Sequence, residues 1–298
     1  MSSAGAEVLV ARLWPGRPAT IEPLEGGITN RNYLVTLGDE RVVLRIAGKD
    51  TGLLGIDRRR EAAAARMAAR AGVGPEVVAF VEPEGSLVTR FVEGTPIPPE
   101  RMRTPEQIAR AAAALRAIHR AETIPGRFDA HQVVEDYRQT AVAHGVELPA
   151  DYPWARDISE RIRDVRGPQP LVPCHNDLLN ANFIDDGERI RIVDWEYAGM
   201  GDRFFDLANF SINHEFEPQH DRELLGAYFG DVRPSHTDSL RLMRFLSDFR
   251  EAMWGVVQQG ISALDVDFVA YAAEHFERLR RTAADLLFER ALAGEPPA

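Results

Sequence analysis

One polar stretch near the middle of the chain constrains its fold more than any other. Residues 174–198 contain a short apolar pair, the turn-forming sequence Asp-Asp-Gly-Glu at 185–188, and a β-branched run at 190–193. An Asp-Gly pair readily takes the positive φ angles of a tight turn, so the pattern predicts a β-hairpin. The outer ends of this hairpin carry Asn182 and Asp194. Because paired strands lie about 4.8 Å apart, an amide oxygen and a carboxylate would converge there on one hard cation.

A further acid, Asp177, precedes the hairpin by one tight loop, and Asn182 follows it by five positions. This spacing, completed by an Asp at a strand end, is the pattern of phosphoryl transfer, in which the first Asp orients the acceptor hydroxyl and the other two residues hold magnesium. A lone Asp-x-x-x-x-Asn is common by chance and fits an ordinary polar loop equally well. The complete series, with His175 before it and Asp194 after it, favours a kinase site. Asp177 is then the candidate catalytic residue, and Asn182 and Asp194 are the candidate ligands of Mg²⁺.

The composition excludes several other classes of protein. A length of 298 residues suits one large domain or two lobes. The formal net charge of −11 disfavours a nucleic-acid partner and would weakly attract small cations. Cys174 is the only cysteine, so no disulfide can form within the chain. The sequence has neither a signal-peptide pattern nor an apolar run approaching about 20 residues, so we expect a cytoplasmic protein without a membrane partner.

The first third of the sequence predicts a small α+β lobe. Strands are expected over 20–46, around a glycine-containing loop at 25–30. Two glycines alone are typical of a plain hairpin connection, but the basic residue Arg45 on the next strand favours a phosphate-binding loop. A helix is expected over 57–72, between an N-cap aspartate and a terminating glycine. Two more strands between residues 77 and 92 complete an order of strands, helix and strands.

A segment rich in proline and glycine follows, so we divide the chain into residues 1–93 and 94–298. The second part is expected to be mainly helical, with His119 as a core histidine and Asp206 as a buried acid. Its helices are expected to start at a capping box at 104–107 and to include segments near 132–144, 154–165, 204–210, 238–262 and 266–292.

One face of the helix at 238–262 is polar and aromatic, because Ser247, Glu251, Trp254 and Gln258 recur on it at helical spacing. Such a face is unusual for a helix that only packs, but most tryptophans are simply core residues. The periodicity alone leaves both interpretations open.

These features together resemble the choline/ethanolamine kinase group of the aminoglycoside-phosphotransferase-like kinases, over nearly the whole chain. The main resemblance is His-Asn-Asp-Leu-Leu-Asn-Ala-Asn at 175–182, joined to Val-Asp-Trp-Glu-Tyr at 193–197. Asp-(Phe/Trp)-Glu-Tyr is more typical of choline-type kinases than of aminoglycoside enzymes. Gly-Gly-Ile-Thr-Asn at 26–30 resembles the nucleotide loop of the family, and Trp-Gly-Val-Val-Gln at 254–258 resembles the helix that walls its substrate pocket.

The resemblance implies an α+β, two-lobed protein-kinase-like fold, with a small β-rich N-lobe and a larger, mainly helical C-lobe. ATP would lie in the cleft, with its adenine against the hinge and its phosphates near Arg45, which Glu61 would position. The nucleotide-binding residues implied are Gly27, Thr29, Asn30, Arg45, Glu61, Arg90 and Val92. Asp177 would accept the proton of the acceptor hydroxyl. The substrate-binding residues implied are Glu196, Tyr197, Glu251, Trp254 and Tyr271.

The resemblance further implies that the acceptor is choline, a small cationic amino alcohol, although the sequence departs from the family pattern at two positions. Eukaryotic choline kinases usually have a second tryptophan where this chain has Glu251, and an acid where it has Asn213. Glu251 would then supply the negative charge. Ethanolamine, thiamine or an aminoglycoside are alternative acceptors. A pseudokinase that binds a nucleotide without chemistry is an alternative of another class, which the intact set of candidate catalytic and metal-binding residues disfavours.

Overall fold

The N-terminal part of the fold is built around one antiparallel sheet. The computed structural model of the protein describes residues 4–24, 30–48 and 51–295. The elements of this part are α1 (Ala4–Leu13), β1 (Thr20–Leu24), β2 (Asn30–Leu37), β3 (Glu40–Ala47), α2 (Arg58–Arg70), β4 (Val77–Val81) and β5 (Ser86–Arg90). The strand order is β1-β2-β3-β5-β4, and each neighbouring pair is antiparallel.

A helix covers each face of this sheet, because side chains alternate between the two faces along every strand. On β5, Val88 packs in one apolar cluster with Leu9 and Val10 of α1. The adjacent Leu87 belongs to the other cluster, which contains the alanines of α2 and continues into the rest of the molecule. The side chain of Asp57 caps α2, as predicted, by accepting from two backbone N–H groups.

The C-terminal part is mainly helical, with short strands around the predicted hairpin. Its strands are β6 (Thr95–Pro96), β7 (Leu171–Cys174), β8 (Phe183–Asp185), β9 (Ile190–Ile192) and β10 (Gly199–Asp202). Its helices are α3 (Pro99–Met102), α4 (Pro105–His119), α5 (Ala130–Ala143), α6 (Tyr152–Arg166), α7 (Arg203–Asn213), α8 (Pro218–Phe229), α9 (Pro234–Ile261), α10 (Phe268–Ala283) and α11 (Leu286–Leu292).

Helix α9 forms the centre of this larger part, with α5, α7 and α10 packed against it. It is buried almost continuously from Leu240 to Gln258, and the buried stretch includes the charged residues Asp248, Arg250 and Glu251. A charged side chain is rarely buried unless it is paired, so we expect these three residues to have charged or polar partners on neighbouring elements.

The α+β prediction with a β-rich first part and a helical second part is confirmed. The single helix predicted over 266–292 is wrong, because Asp285 accepts a hydrogen bond from the backbone of Leu287 and starts a separate helix, α11. Helices α1 and α8 were not predicted.

The boundary between residues 93 and 94 stays a prediction, although β6 just after it pairs with β8 of the larger part. No helix in the described ranges has both the length and the apolarity that crossing a bilayer requires.

Candidate active site

The predicted hairpin is present and brings the two candidate metal ligands to the same end. Strands β8 and β9 pair antiparallel, with Phe183 opposite Ile192. One residue further out, the N–H of Val193 donates to the carbonyl of Asn182 over 3.0 Å. Asp194 comes next and has a φ of 67°, in the left-handed region that non-glycine residues rarely adopt. Such strain is common at functional positions, and here it turns the chain immediately after the strand.

The loop that carries Asp177 is fixed to this hairpin on both sides. The Nδ2 of Asn182 donates to the carbonyl of Asp177 over 2.9 Å. The N–H of Asp177 donates to Nδ1 of His175, whose Nε2 in turn donates to the carbonyl of Val193 over 2.9 Å. Burial lowers the pKa of His175 and keeps the ring neutral, which this donor and acceptor arrangement requires.

A buried carboxylate on α7 also holds this loop. Asp206 is fully buried and accepts from the backbone N–H groups of His175, at 2.9 Å, and Asn176, at 2.7 Å. Nε2 of His119 lies 3.0 Å from the same carboxylate, and its Nδ1 lies 2.7 Å from the hydroxyl of Tyr228. The predictions of a buried acid and of a core histidine are therefore confirmed.

The side chain of Asp177 lies beside a buried arginine that the sequence analysis missed. Nη2 of Arg250 is 3.2 Å from Oδ1 of Asp177 and also donates to the carbonyl of Asn176 over 2.8 Å. Burial raises the pKa of Asp177 to about 7, and Arg250 opposes that shift. A carboxylate with a raised pKa is suited to accept a proton from a substrate hydroxyl.

The predicted aromatic residues converge around Glu251. Nε1 of Trp254 donates to the hydroxyl of Tyr197 over 3.1 Å, and the rings of Trp254 and Tyr271 are 5.5 Å apart in an edge-to-face arrangement. The hydroxyl of Tyr271 donates to Oε2 of Glu251 over 3.1 Å. Arg250 lies 2.9 Å from Oε1 of Glu251 and thereby joins this cluster to Asp177. We name Tyr197, Glu251, Trp254 and Tyr271 the aromatic cluster.

Glu196 is the predicted substrate residue that the structure connects elsewhere. Its Oε2 accepts from Nδ2 of Asn30 over 2.8 Å and from Arg58 over 3.0 Å. Both partners belong to the N-terminal part, so Glu196 joins that part to the segment after the hairpin. Its predicted role in balancing the substrate charge stays a prediction.

The predicted phosphate-binding pair is also in contact. Arg45 on β3 pairs with Glu61 on α2 and with Asp194 after the hairpin. Glu61 is 2% exposed, so it is not the solvated residue that its place in the helix alone would indicate. Arg45 thus lies between the two parts of the molecule, next to the candidate metal ligands.

The structure gives less information about the other predicted nucleotide-binding residues. Gly27 and Thr29 lie outside the described residues. The Arg90 side chain is at the surface, 2.7 Å from Glu40, which leaves the backbone rather than the guanidinium for a base. Arg90 and Val92 line a cavity of about 670 Å³ that also contacts the end of α2, and none of the candidate catalytic residues lines it. Their nucleotide-binding role stays a prediction.

Comparisons with known proteins show which family the chain belongs to. The model of the phosphotransferase enzyme family matches residues 20–243. The solved structure of a choline/ethanolamine kinase family protein from Mesorhizobium loti is 35% identical, with a TM-score of 0.84 and 99% of each chain covered. The chain belongs to this choline/ethanolamine kinase family.

Other members and fold relatives extend the comparison. Ethanolamine kinase 1 of Mus musculus is 25% identical over 316 residues, which cover 89% of this chain and 84% of that protein. The choline kinase LicA from Streptococcus pneumoniae is 23% identical, with a TM-score of 0.78 and 95% and 98% of the two chains covered, and shows the fold alone. The chain is thus a small-molecule phosphotransferase of the choline/ethanolamine kinase type, acts on an alcohol group, and has the predicted two-lobed kinase-like fold.

The residues at the hairpin end fit the Mg²⁺ ion that the sequence predicts there. Asn182 and Asp194 offer an amide oxygen and a carboxylate, the hard donors that this ion prefers. Because Nδ2 of Asn182 is committed to the carbonyl of Asp177, its oxygen is the end of the amide left for a cation. Asp194 is bound to Arg45 in the structure, and a metal bound with a nucleotide would compete for that carboxylate.

Two residues of the candidate site were not predicted from the sequence. Arg250 would have been found from its charge inside an otherwise apolar helix, next to the acid Glu251. Tyr137 on α5 is 1% exposed, and its hydroxyl lies close to the side chain of Tyr197 in the aromatic cluster. The charges of Arg250 and Glu251 act on this phenol, which places it beside the aromatic cluster. Nothing in its sequence context distinguishes Tyr137 from an ordinary core tyrosine.

Proposed function

We propose that this kinase transfers the γ-phosphoryl group of ATP, bound with Mg²⁺, to the hydroxyl of choline. Asp177 accepts the proton of the choline hydroxyl while the hydroxyl oxygen of choline forms a bond to the γ-phosphorus. The bond from phosphorus to the bridging oxygen of ATP breaks, and ADP leaves with the electron pair. When bound, the metal neutralises charge on the phosphate oxygens, and Asn182 and Asp194 would hold it there.

Arg45 and the loop contacts serve to position the reactants. Arg45 would bind phosphate oxygens, with Glu61 fixing its direction. The bonds from His175 and Asn182 to the backbone of Asp177 limit the movement of the catalytic loop. In phosphoryl transfer the protein mainly orients groups and stabilises developing charge, so a rigid loop contributes directly to rate.

The aromatic cluster is the single observation that carries the choice of choline. A quaternary ammonium has no N–H to donate, so it must be held by aromatic faces and by charge. Tyr197, Trp254 and Tyr271 supply rings, and Glu251 supplies a carboxylate within the same cluster. Arg250 links that carboxylate to Asp177, which puts the cluster next to the proton acceptor.

Ethanolamine is the second candidate, and one observation favours it. The side chains of Tyr137 and Tyr197 lie close together, and a primary ammonium has N–H groups that would donate to the buried Tyr137 hydroxyl. A quaternary ammonium has no N–H group to donate to that hydroxyl. If ethanolamine is the acceptor, its kcat/KM should depend on the Tyr137 hydroxyl, whereas the kcat/KM for choline should not.

An ADP-release assay with Mg²⁺-ATP separates these acceptors. We expect kcat/KM for choline to exceed that for ethanolamine, thiamine, glucosamine and kanamycin by about tenfold or more, the scale of one lost desolvated cation–π contact. Tyr137→Phe, which removes only the hydroxyl, should leave the choline value within about twofold. A higher kcat/KM for ethanolamine that falls in Tyr137→Phe would assign the site to the primary amine instead.

A further inference from the structure

A network of buried charges connects the hairpin end to the start of α2. Arg45 pairs with both Asp194 and Glu61. Oε2 of Glu61 lies 2.7 Å from Nη1 of Arg58, at the first position of α2. The same nitrogen is 3.0 Å from Oε2 of Glu196. Arg58 and Arg45 thus share one carboxylate, and each also contacts an acid of the segment that follows β9.

Arg58 uses only one of its three nitrogens in this network. Its side chain is 12% exposed, and Nε and Nη2 are buried with no hydrogen-bond partner in residues 4–24, 30–48 and 51–295. Buried polar groups in folded proteins are nearly always paired, so the unpaired Nε and Nη2 need an explanation. We call these two nitrogens the open edge of Arg58. A guanidinium edge of this kind matches two oxygens of a phosphate and binds them through parallel hydrogen bonds.

The charges around Arg58 also favour an anion. Burial lowers the pKa of Arg58, Glu196 opposes that shift, and the charge of Arg45 adds to it. The two guanidinium groups therefore repel each other in a largely desolvated place. A phosphate chain between them would reduce that repulsion and would satisfy the open edge of Arg58 at the same time.

We propose that Arg58 is a second phosphate-binding arginine, which contacts the phosphate chain of the bound nucleotide through Nε and Nη2. Glu61 and Glu196 are the positioning residues that hold it, through Nη1. This inference rests on the proposed use of ATP but not on the choice of acceptor. The competing role for Arg58 is purely structural, namely to join α2 to Glu196.

Calorimetric titration of four variants with Mg²⁺-ATP and with adenosine distinguishes the two roles. We expect Arg58→Met to weaken Mg²⁺-ATP binding by about tenfold or more, the scale of lost hydrogen bonds to a charged group. Adenosine affinity should stay within about twofold, because adenosine has no phosphate. Arg58→Lys keeps the charge without the planar edge and should fall between wild type and Arg58→Met. Glu196→Gln keeps an oxygen that accepts from Nη1 and leaves Nε and Nη2 of Arg58 in place, so it should lose clearly less Mg²⁺-ATP affinity than Arg58→Met.

Arg166→Met is the matched control for the loss of a buried arginine. Arg166 is 5% exposed, pairs with Asp202 and lines a cavity that none of the candidate site residues lines, so its variant should bind Mg²⁺-ATP as wild type does. Equal losses of Mg²⁺-ATP affinity in Arg58→Met and Glu196→Gln would overturn the proposal in favour of the structural role. Unchanged affinity in a folded Arg58→Lys and Arg58→Met would overturn it as well. Wild-type protein that binds Mg²⁺-ATP but phosphorylates no acceptor would contradict the proposed function alone.

Discussion

At the scale of single residues, the site depends on side chains whose partners are fixed before any substrate binds. Asn182 illustrates this, because its Nδ2 is bonded to the Asp177 carbonyl and its oxygen is directed by that bond. Asp194 differs, since Arg45 already occupies its carboxylate. The two candidate metal ligands should therefore respond differently to removal.

We expect Asp194→Ala to abolish turnover and to raise the Mg²⁺ concentration needed for nucleotide binding, because it removes the only charged ligand of the pair. Asn182→Ala should be milder, since an amide is a weaker ligand, although it also frees the Asp177 loop. Titration of Mg²⁺ at fixed ATP, followed by ADP release, measures both effects. If Asp194→Ala binds Mg²⁺-ATP as tightly as wild type in calorimetry, the metal lies elsewhere.

Substitution of Trp254 tests whether the aromatic cluster binds the acceptor. Trp254→Leu keeps apolar bulk and loses the ring, so we expect KM for choline to rise about tenfold, as expected for a lost desolvated cation–π contact of about 2 kcal/mol. KM for ATP and the melting temperature should change much less. Trp154→Leu is a suitable control, because Trp154 packs on Phe245 outside the cluster. Equal choline KM values in both variants would remove the cluster from the acceptor site.

At the scale of elements, the catalytic loop is held by the start of α7. Asp206 accepts two backbone N–H groups of the loop and contacts His119, all without exposure to water. A carboxylate that is paired in this way cannot be removed without leaving several buried donors unsatisfied.

We therefore expect Asp206→Ala to lower the free energy of unfolding by about 3 kcal/mol or more, and kcat with it. Asp285→Ala is the matched control, since Asp285 caps the peripheral helix α11 and should cost only about 1 kcal/mol. Urea denaturation of both variants gives the comparison. A loss in Asp206→Ala no larger than that in Asp285→Ala would show that the loop is held by other contacts.

The elements also show what the sequence could and could not predict. Strong local signals, such as the Asp-Gly turn of the hairpin and the N-cap Asp57, gave the correct structure because neighbouring residues decide it. The break before Asp285 was missed because the residues on both sides of it favour a helix. Contacts between distant segments, such as Arg250 with Asp177 or Glu196 with Arg58, depend on how helices pack, which periodicity does not encode.

At the scale of the whole molecule, buried histidines make stability depend on pH. Burial lowers the pKa of His131 to about 4, and that of His214 also to about 4. Between pH 6.5 and about 4 the unfolded chain binds protons that the folded chain does not, so stability falls as the pH falls. Each histidine contributes up to about 1.4 kcal/mol per pH unit in that window. Asp177 acts in the opposite direction, because its folded pKa is raised and its protonation favours the folded state below about pH 7.

His131→Gln should therefore make the free energy of unfolding fall less steeply between pH 6.5 and pH 5, by up to about 1.4 kcal/mol per pH unit, while His214 and Asp177 continue to titrate. Urea unfolding of wild type and variant at several pH values gives the two slopes. Identical slopes would mean that His131 titrates alike in the folded and unfolded states.

The central claim is that Asp177 accepts the proton of choline while Mg²⁺-ATP supplies the phosphoryl group. Phosphorus NMR of a mixture of choline, ATP and Mg²⁺ follows choline phosphate and ADP together. We predict that wild-type protein forms both in equal amounts, and that Asp177→Asn lowers kcat about 10²-fold or more, with Mg²⁺-ATP affinity nearly unchanged. Choline phosphate formed by Asp177→Asn at more than half the wild-type rate would contradict the account.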